Sequence, residues 1–270
     1  MSIDYGTAYV AHQRLIVYDR LDSIYRNFEK AAKLRYETEA TSKLEYISAQ
    51  NQARQIRLMK QQAIQDEQIA LRNLNRWLGD KILYTTDGSI AGLSTDIIQP
   101  STIHPTLQFA DEKIKLAGSK YKMEKSEFFP KFFVDYGRQK IGSVSGYYSY
   151  QVGLSIPLFF GAQSGRTKSA KIQCDIAQQN YDLQQRELTS QRNTTTGQYE
   201  KWKSSLSYYN ETALPLAKEQ QQAAMQYYLK GATDYIGFIQ NMKDAAQIQL
   251  DYWNCYSEYL ITKFNLEYYY

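Results

Sequence analysis

The sequence predicts a mainly helical protein, built from long helices packed side by side as in a coiled coil, with one β-hairpin set into it. Three observations carry that expectation. Residues 131–160 hold two alternating runs, the second placing Tyr148, Tyr150, Val152, Leu154, Ile156 and Leu158 on one face and Ser149, Gln151, Gly153 and Ser155 on the other; a period of two belongs to a strand. Farther on, Ala170, Cys174, Ala177, Tyr181 and Leu188 share one seam at spacings of three, four and seven, the pattern of coiled-coil helices. Finally, shifting the chain by 192 residues aligns 36–74 with 228–266 without a gap, pairing Tyr36 with Tyr228, Ala40 with Ala232, Thr41 with Thr233 and Leu74 with Leu266. Such self-similarity marks a duplicated structural unit.

Taken in order, residues 8–34 and 43–78 read as a helical pair joined by a turn near Glu39-Ala40-Thr41-Ser42 and ending at Leu78-Gly79. Residues 80–103 form a polar connector with Gly88, Gly92 and Pro100. His104-Pro105 opens a helix over 106–127, since proline is pre-organised for the first helical position, and delivers the chain to Pro130. Phe132, Val134 and Tyr136 then alternate with Phe133, Asp135 and Gly137 ahead of a polar turn from Lys140 to Gly146. Helix resumes over 163–213, and Pro215 predicts a kink or break. Counted through to Tyr228, this run would reach on the order of 100 Å at 1.5 Å per residue. Gly231-Ala232-Thr233-Asp234 reads as a tight reversal in which Thr233 or Asp234 caps a last helix, 235–268.

The repeat assigns residues 1–79 to the end of a first unit, 80–103 to the connector and 104–270 to a second unit, with a long helical hairpin at 163–268. A twin of the 131–160 hairpin is then expected before residue 1, so the chain reads as an N-terminally truncated piece and is expected not to form a conducting channel unaided. Its first residues lack the basic and apolar regions of a signal peptide. That leaves a cytoplasmic protein or part of a longer precursor that has lost its signal peptide, and the repeat favours the second.

Each hairpin run is about as long as a tilted strand that crosses a bilayer. An aromatic-rich face backed by a Ser/Gln/Gly face suits the wall of a membrane barrel. One hairpin is marginal by itself in water and cannot close a barrel, so this reading calls for other subunits, further strands, or both.

Composition narrows the function classes. Hydrophobic residues make up 43% of the chain, but 25 tyrosines supply much of that share, so the apolar surface is amphipathic. No run approaches the 18 apolar residues of a transmembrane helix, which excludes helical spans but not a barrel. The net charge of +4 is spread along the helices beside acidic neighbours, giving no footprint for nucleic acid. Cys174 and Cys255 have no CxxC context and read as buried packing residues. His12 and His104 lack a second ligand at metal spacing, and no GK[ST] follows Gly161 or Gly165. No catalytic constellation can be singled out, so neither an enzyme nor a cofactor is expected.

Several motifs then converge: His104-Pro105 opening a helix, Phe129-Pro130 entering a strand, Gly153-Leu154-Ser155-Ile156-Pro157-Leu158-Phe159-Phe160-Gly161 leaving the hairpin, Ala213-Leu214-Pro215-Leu216-Ala217, and the tip motif Tyr228-x-x-Gly231-x-x-Asp234-x-Ile236. Together they resemble the TolC family of outer-membrane efflux proteins over nearly the whole chain. The seams at 36–74 are similar to outer-membrane components of heavy-metal exporters of the resistance-nodulation-division type. The resemblance implies a homotrimer whose subunits each give four strands to a twelve-stranded β-barrel and long helices to a periplasmic tunnel. It implies a passive duct for small molecules or metal ions, joined to a periplasmic adaptor and an inner-membrane pump that choose the cargo, and located in the outer membrane and periplasm.

Within that frame Tyr148, Tyr150, Val152, Leu154 and Ile156 are expected to face lipid, and Ser149, Gln151, Gly153 and Ser155 to line the pore. The periplasmic entrance is expected around the two tip turns, 36–44 and 228–236, with Tyr36, Glu45, Tyr228, Gly231, Asp234 and Gln240. Relatives carry acidic residues after these turns. Here Gly237 and Gln240 occupy the second-unit positions, while the first unit keeps Glu45 and has Ser48 next. Three copies of Glu45 would form a negative ring, unless Glu45 is an ordinary solvated helix charge. Asp234 reads as a helix cap in preference to a gate. The alternative from another class is a soluble helical scaffold, in which an apolar helix surface would cover the hairpin.

Overall fold

The computed structural model describes residues 1–77, 79, 84–86, 104–156 and 161–269, apart from the side chain of residue 144. Its elements run α1 (Ser2–Glu37), α2 (Lys43–Asn75), α3 (Pro105–Ser126), β1 (Lys131–Ile141), β2 (Val144–Ser155), α4 (Gly161–Tyr208), a π-helical turn (Tyr209–Ala213), α5 (Leu214–Leu229) and α6 (Tyr235–Tyr268). The mainly helical class with one hairpin is therefore observed. Most of the 80–103 connector and the Pro157-Leu158-Phe159-Phe160 stretch lie outside the described residues. The chain divides into two compact units, residues 1–99 with 192–270 and residues 100–191, and α4 contributes to both.

The first unit buries α1, α2, α5 and α6 against one another. On α2, positions 49, 53, 56, 60, 63, 67, 70 and 74 are all buried or half-buried, and their alternating spacing of four and three keeps one stripe against a partner helix. Alanine fills four of them, Ala49, Ala53, Ala63 and Ala70, all buried. These small side chains let α1 lie close, and the larger volume comes from elsewhere in the core: Tyr25, Phe28, Phe238, Met242 and Leu250. Tyr25 and Phe238 are almost wholly inaccessible. Burial pushes the Tyr25 phenol up to about 12, aided by the nearby carboxylate of Asp244.

One charge sits inside the α1–α2 seam. Asp22 is buried and is bound by Arg26 and by Lys60, whose Nζ lies 3.2 Å away. Lys60 also reaches Asp19 at 2.6 Å. Desolvation alone would raise the Asp22 carboxyl, but the two cations outweigh it and hold it below its usual value. Such an ion pair survives burial because several donors satisfy the carboxylate together.

At Pro215, where a kink or break is expected, the helix is disturbed without being broken. Proline 215 has no N–H to give to the carbonyl four residues back, and its ring would crowd that carbonyl. The chain accommodates it by widening the preceding turn: Tyr209–Ala213 is π-helical, and the Leu214 N–H reaches back to the Tyr209 carbonyl. Helix then continues through α5. One extra residue per turn relieves the clash that a strict α-helix would carry.

In the second unit, His104 caps α3 by accepting the Thr106 N–H at its Nδ1, 3.2 Å away, with Pro105 at the first position. The Gln163 side chain of α4 donates to the carbonyl of Glu124 at 2.6 Å and to its carboxylate at 3.0 Å, tying the two ends of the hairpin connection together. Along α4 as far as residue 191, residues 163, 167, 170, 174, 177, 181, 184 and 188 are the less exposed ones, which includes every member of the Ala170–Leu188 seam.

Candidate functional site: the hairpin faces and the helix tips

β1 and β2 pair antiparallel from Lys131↔Ser155 to Ile141↔Val144. The turn is shorter than the polar stretch Lys140–Gly146 had indicated. Only Gly142 and Ser143 lie outside the strands, and Gly142 has φ 61°, as the first central residue of a type II′ turn requires. The register slips once, between Gln139 and Lys140. The additional residue falls on β2 at Gly146, whose φ of 117° suits a bulge.

This register puts like beside like. One face carries the rungs Phe132↔Leu154, Val134↔Val152, Tyr136↔Tyr150 and Arg138↔Tyr148; the other carries Lys131↔Ser155, Phe133↔Gly153, Asp135↔Gln151, Gly137↔Ser149 and Gln139↔Tyr147. Cross-strand neighbours on one face are the unit of sheet stabilisation, and here they form a continuous apolar strip. The Tyr136 ring lies 5.2 Å from that of Tyr150 and 6.2 Å from that of Tyr148. Nothing among the described residues covers the strip: Phe132 is 79% exposed, and Val134, Tyr150 and Val152 are each 77% exposed. Tyr148, Leu154 and Ile156 are exposed as well.

On the opposite face, Ser149 Oγ donates weakly to the Gly137 carbonyl at 3.4 Å, and Gln151 and Ser155 stand exposed beside Asp135 and Lys131. Two aromatics, Phe133 and Tyr147, intrude on this face. Phe133 lays its ring over Gly153, where a Cβ would come within 2.2 Å of the ring. Its partner glycine was visible in the alternation, but the contact depends on cross-strand register, which the sequence did not provide.

The two tips are copies of one motif. After α5, the Ala232 N–H bonds the Tyr227 carbonyl and the Gly231 N–H the Tyr228 carbonyl; after α1, Ala40 bonds Arg35 and Glu39 bonds Tyr36. Both are Schellman closures, and their helix-starting caps, Ser42 and Asp234, are offset by the same 192 residues. Asp234 Oδ1 accepts the Gly237 N–H at 2.8 Å, so the cap is Asp234 and not Thr233. Gly237 leaves that carboxylate room, because a Cβ there would meet it at 3.0 Å.

Glu45 is engaged within the chain. It accepts from the Thr41 hydroxyl and lies 3.7 Å from the Arg35 guanidinium. Arg35 in turn donates to the Tyr228 hydroxyl at 3.4 Å, linking the first tip to the second. Tyr36 stacks on Tyr46 at 5.7 Å, and Tyr228 packs its ring on Phe28 and Phe238. Gln240 donates to Asp244 at 2.7 Å. The structure thus brings Tyr228 and Glu45 together through Arg35, a residue that the sequence pattern did not single out; only its place in the last turn of α1 marked it.

A family model described as outer membrane efflux protein matches residues 103–266. No curated protein matches the sequence. Among solved structures, the chain is similar to a membrane protein from Pseudomonas aeruginosa, with a TM-score of 0.87 and 16% identity over 99% of this chain and 66% of that one. It is similar to CusC, with a TM-score of 0.84 and 14% identity over 98% and 65%, and to the outer membrane protein VceC from Vibrio cholerae, with a TM-score of 0.78 and 14% identity over 98% and 67%. At these identities the likeness is one of fold. The chain spans about two thirds of the length of these structures.

Proposed function

Since this chain belongs to the outer membrane efflux protein family, we propose that it forms part of a passive export duct, giving one β-hairpin to a barrel wall in the outer membrane and its paired helices to a periplasmic tunnel. The observation that carries this reading is the open apolar strip of the hairpin. Burying roughly 25 cal/mol per Å2 of apolar surface is favourable, and a folded chain that leaves a whole sheet face in the open has an outside partner for it. A hydrocarbon phase suits a face of Phe, Val, Leu and Tyr whose reverse side is mainly polar, with Ser149, Gln151, Ser155, Asp135 and Lys131 beside Phe133 and Tyr147. A soluble scaffold would have set one of its own helices there.

On this reading Tyr148, Tyr150, Val152, Leu154 and Ile156 face lipid, and Ser149, Gln151 and Ser155 face the water-filled lumen. A homotrimer supplies neighbouring wall. The tips at 36–44 and 228–236 meet a periplasmic adaptor, which connects the duct to an inner-membrane pump of the resistance-nodulation-division type that handles small molecules or metal ions. Glu45 belongs to the entrance, with its charge partly neutralised by Arg35.

Single-cysteine labelling tests the assignment of faces. With Cys174 and Cys255 replaced by alanine, V152C in membranes should react with a lipid-soluble maleimide and resist a charged one, whereas Q151C should show the reverse. Equal reaction of both with the charged reagent would remove the barrel wall.

A further inference from the structure

We propose that the turn end of the hairpin is an anchoring site for the phosphate-bearing headgroups of anionic lipid, held by Arg138 and Lys140; this rests on the barrel-wall reading. The bulge residue, Gly146, lies on β2, so the alternation of β1 runs unbroken past it. Phe132, Val134, Tyr136, Arg138 and Lys140 therefore share one face. Toward the turn, that face changes from aliphatic and aromatic rungs to a tyrosine rung, then to Arg138 beside Tyr148, and finally to Lys140. The order matches a passage from hydrocarbon through the aromatic girdle to the charged headgroup layer. Phe132 and Arg138 are separated by about 20 Å along the strand at 3.3 Å per residue.

Charge placement identifies the occupant. The Arg138 guanidinium lies over the Tyr148 ring at 6.0 Å, and both Arg138 and Lys140 are exposed. Neither has a carboxylate partner among the described residues. The hairpin's one acidic residue, Asp135, is on the opposite face across from Gln151. Its third cation, Lys131, sits at the far end and is bound to Glu127 at 2.5 Å. Two cations without counter-charges, stacked just beyond a tyrosine rung on a lipid-directed face, call for anions at that level. A guanidinium offers paired donors to a phosphate, and the ring beneath Arg138 keeps it directed along the face.

The test compares binding of the full chain to vesicles of phosphatidylcholine alone and of phosphatidylcholine with phosphatidylglycerol, measured by co-sedimentation. Each cation at an anionic surface contributes roughly a fivefold factor in partitioning, so R138Q/K140Q should bind the mixed vesicles about 30-fold less well than the wild type. It should bind phosphatidylcholine vesicles equally. K168Q/K171Q, with the same net charge and its changes on exposed positions of α4, should bind like the wild type. If R138Q/K140Q matches the wild type on mixed vesicles, or if K168Q/K171Q loses as much, the headgroup site is refuted while the barrel wall stands. If the wild type associates with neither vesicle, the barrel wall itself fails and the site with it.

Discussion

Glu39 and Gly231 occupy the same position of two copies of one turn, the residue just past a helix cap, with φ of 57° and 70°. Only Gly231 is suited to it. The left-handed region costs a residue with a side chain about 1 kcal/mol, and Glu39 accepts that cost to close the first tip. Glu39→Gly should therefore raise stability by about 0.5 kcal/mol after allowing for the freer unfolded chain, and Gly231→Ala should lower it by about 1 kcal/mol. Thermal unfolding followed by circular dichroism should show midpoints moving in opposite directions. A loss of stability in Glu39→Gly would mean that the Glu39 side chain makes a contribution beyond the turn.

Phe133 and Gly153 form a matched pair in the hairpin. Gly153→Ala drives the ring off the sheet, and because the obstructing atom is the far end of a side chain, the cost should be about 1 kcal/mol. In a Phe133→Ala background the same change should be neutral or better, since alanine suits a strand more than glycine does. Hydrogen exchange of the hairpin amides reads this coupling; additive effects of the two changes would show that the ring does not lie over Gly153.

Asp22 makes the α1–α2 seam sensitive to acid. Its carboxyl is held below the ordinary value, so it binds a proton less readily when folded than when unfolded. The stability it contributes is complete above the unfolded value, near pH 4, and disappears as pH falls through the folded one. Asp22→Asn should cost about 1–2 kcal/mol at neutral pH, a buried-pair value reduced because Arg26 and Lys60 keep contact with water. Denaturant midpoints measured against pH should show the two proteins converging in acid. A constant gap down to pH 2 would mean that Asp22 acts by packing alone.

Alkali should act through the tyrosines. Tyr25, Tyr252 and Tyr259 are each pushed up to about 12, chiefly by burial. In the unfolded chain they ionise near pH 10. Their contribution is therefore intact below pH 10 and is lost as pH rises through 12, because the unfolded state releases protons that the folded state retains. Phenolate absorbance should show a fraction of the tyrosines titrating only as helicity collapses, and Tyr25→Phe should shift that collapse to higher pH. Titration of all tyrosines near pH 10 with the fold intact would contradict the burial of these three rings.

Much of this architecture could be read from spacing. The seam from Ala170 to Leu188, the alternation from Tyr148 to Leu154 and the caps at His104 and Asp234 are local facts: each depends on residues within a few positions of one another, where helix and strand periods decide which side chains share a face. Pro215 was equally visible as the place where the helix is disturbed, but not the form that the disturbance takes. The proline marks where the backbone must yield, whereas a break and a widened turn differ only in whether neighbouring helices hold the two segments in line. The role of Arg35 is not local for a related reason, since the Tyr228 it reaches is 193 residues away.

By itself, then, the sequence determined the helix seams, the two faces of the hairpin and the 192-residue offset between the tip turns, because periodicity and capping are short-range. Tertiary structure decided which seams meet, that Asp22 is buried among cations, that Phe133 covers Gly153 and that Arg35 joins the two tips. Those outcomes depend on register between segments distant in the chain. Register follows from how side-chain volumes and charges from both partners fit together, and neither segment specifies that fit alone.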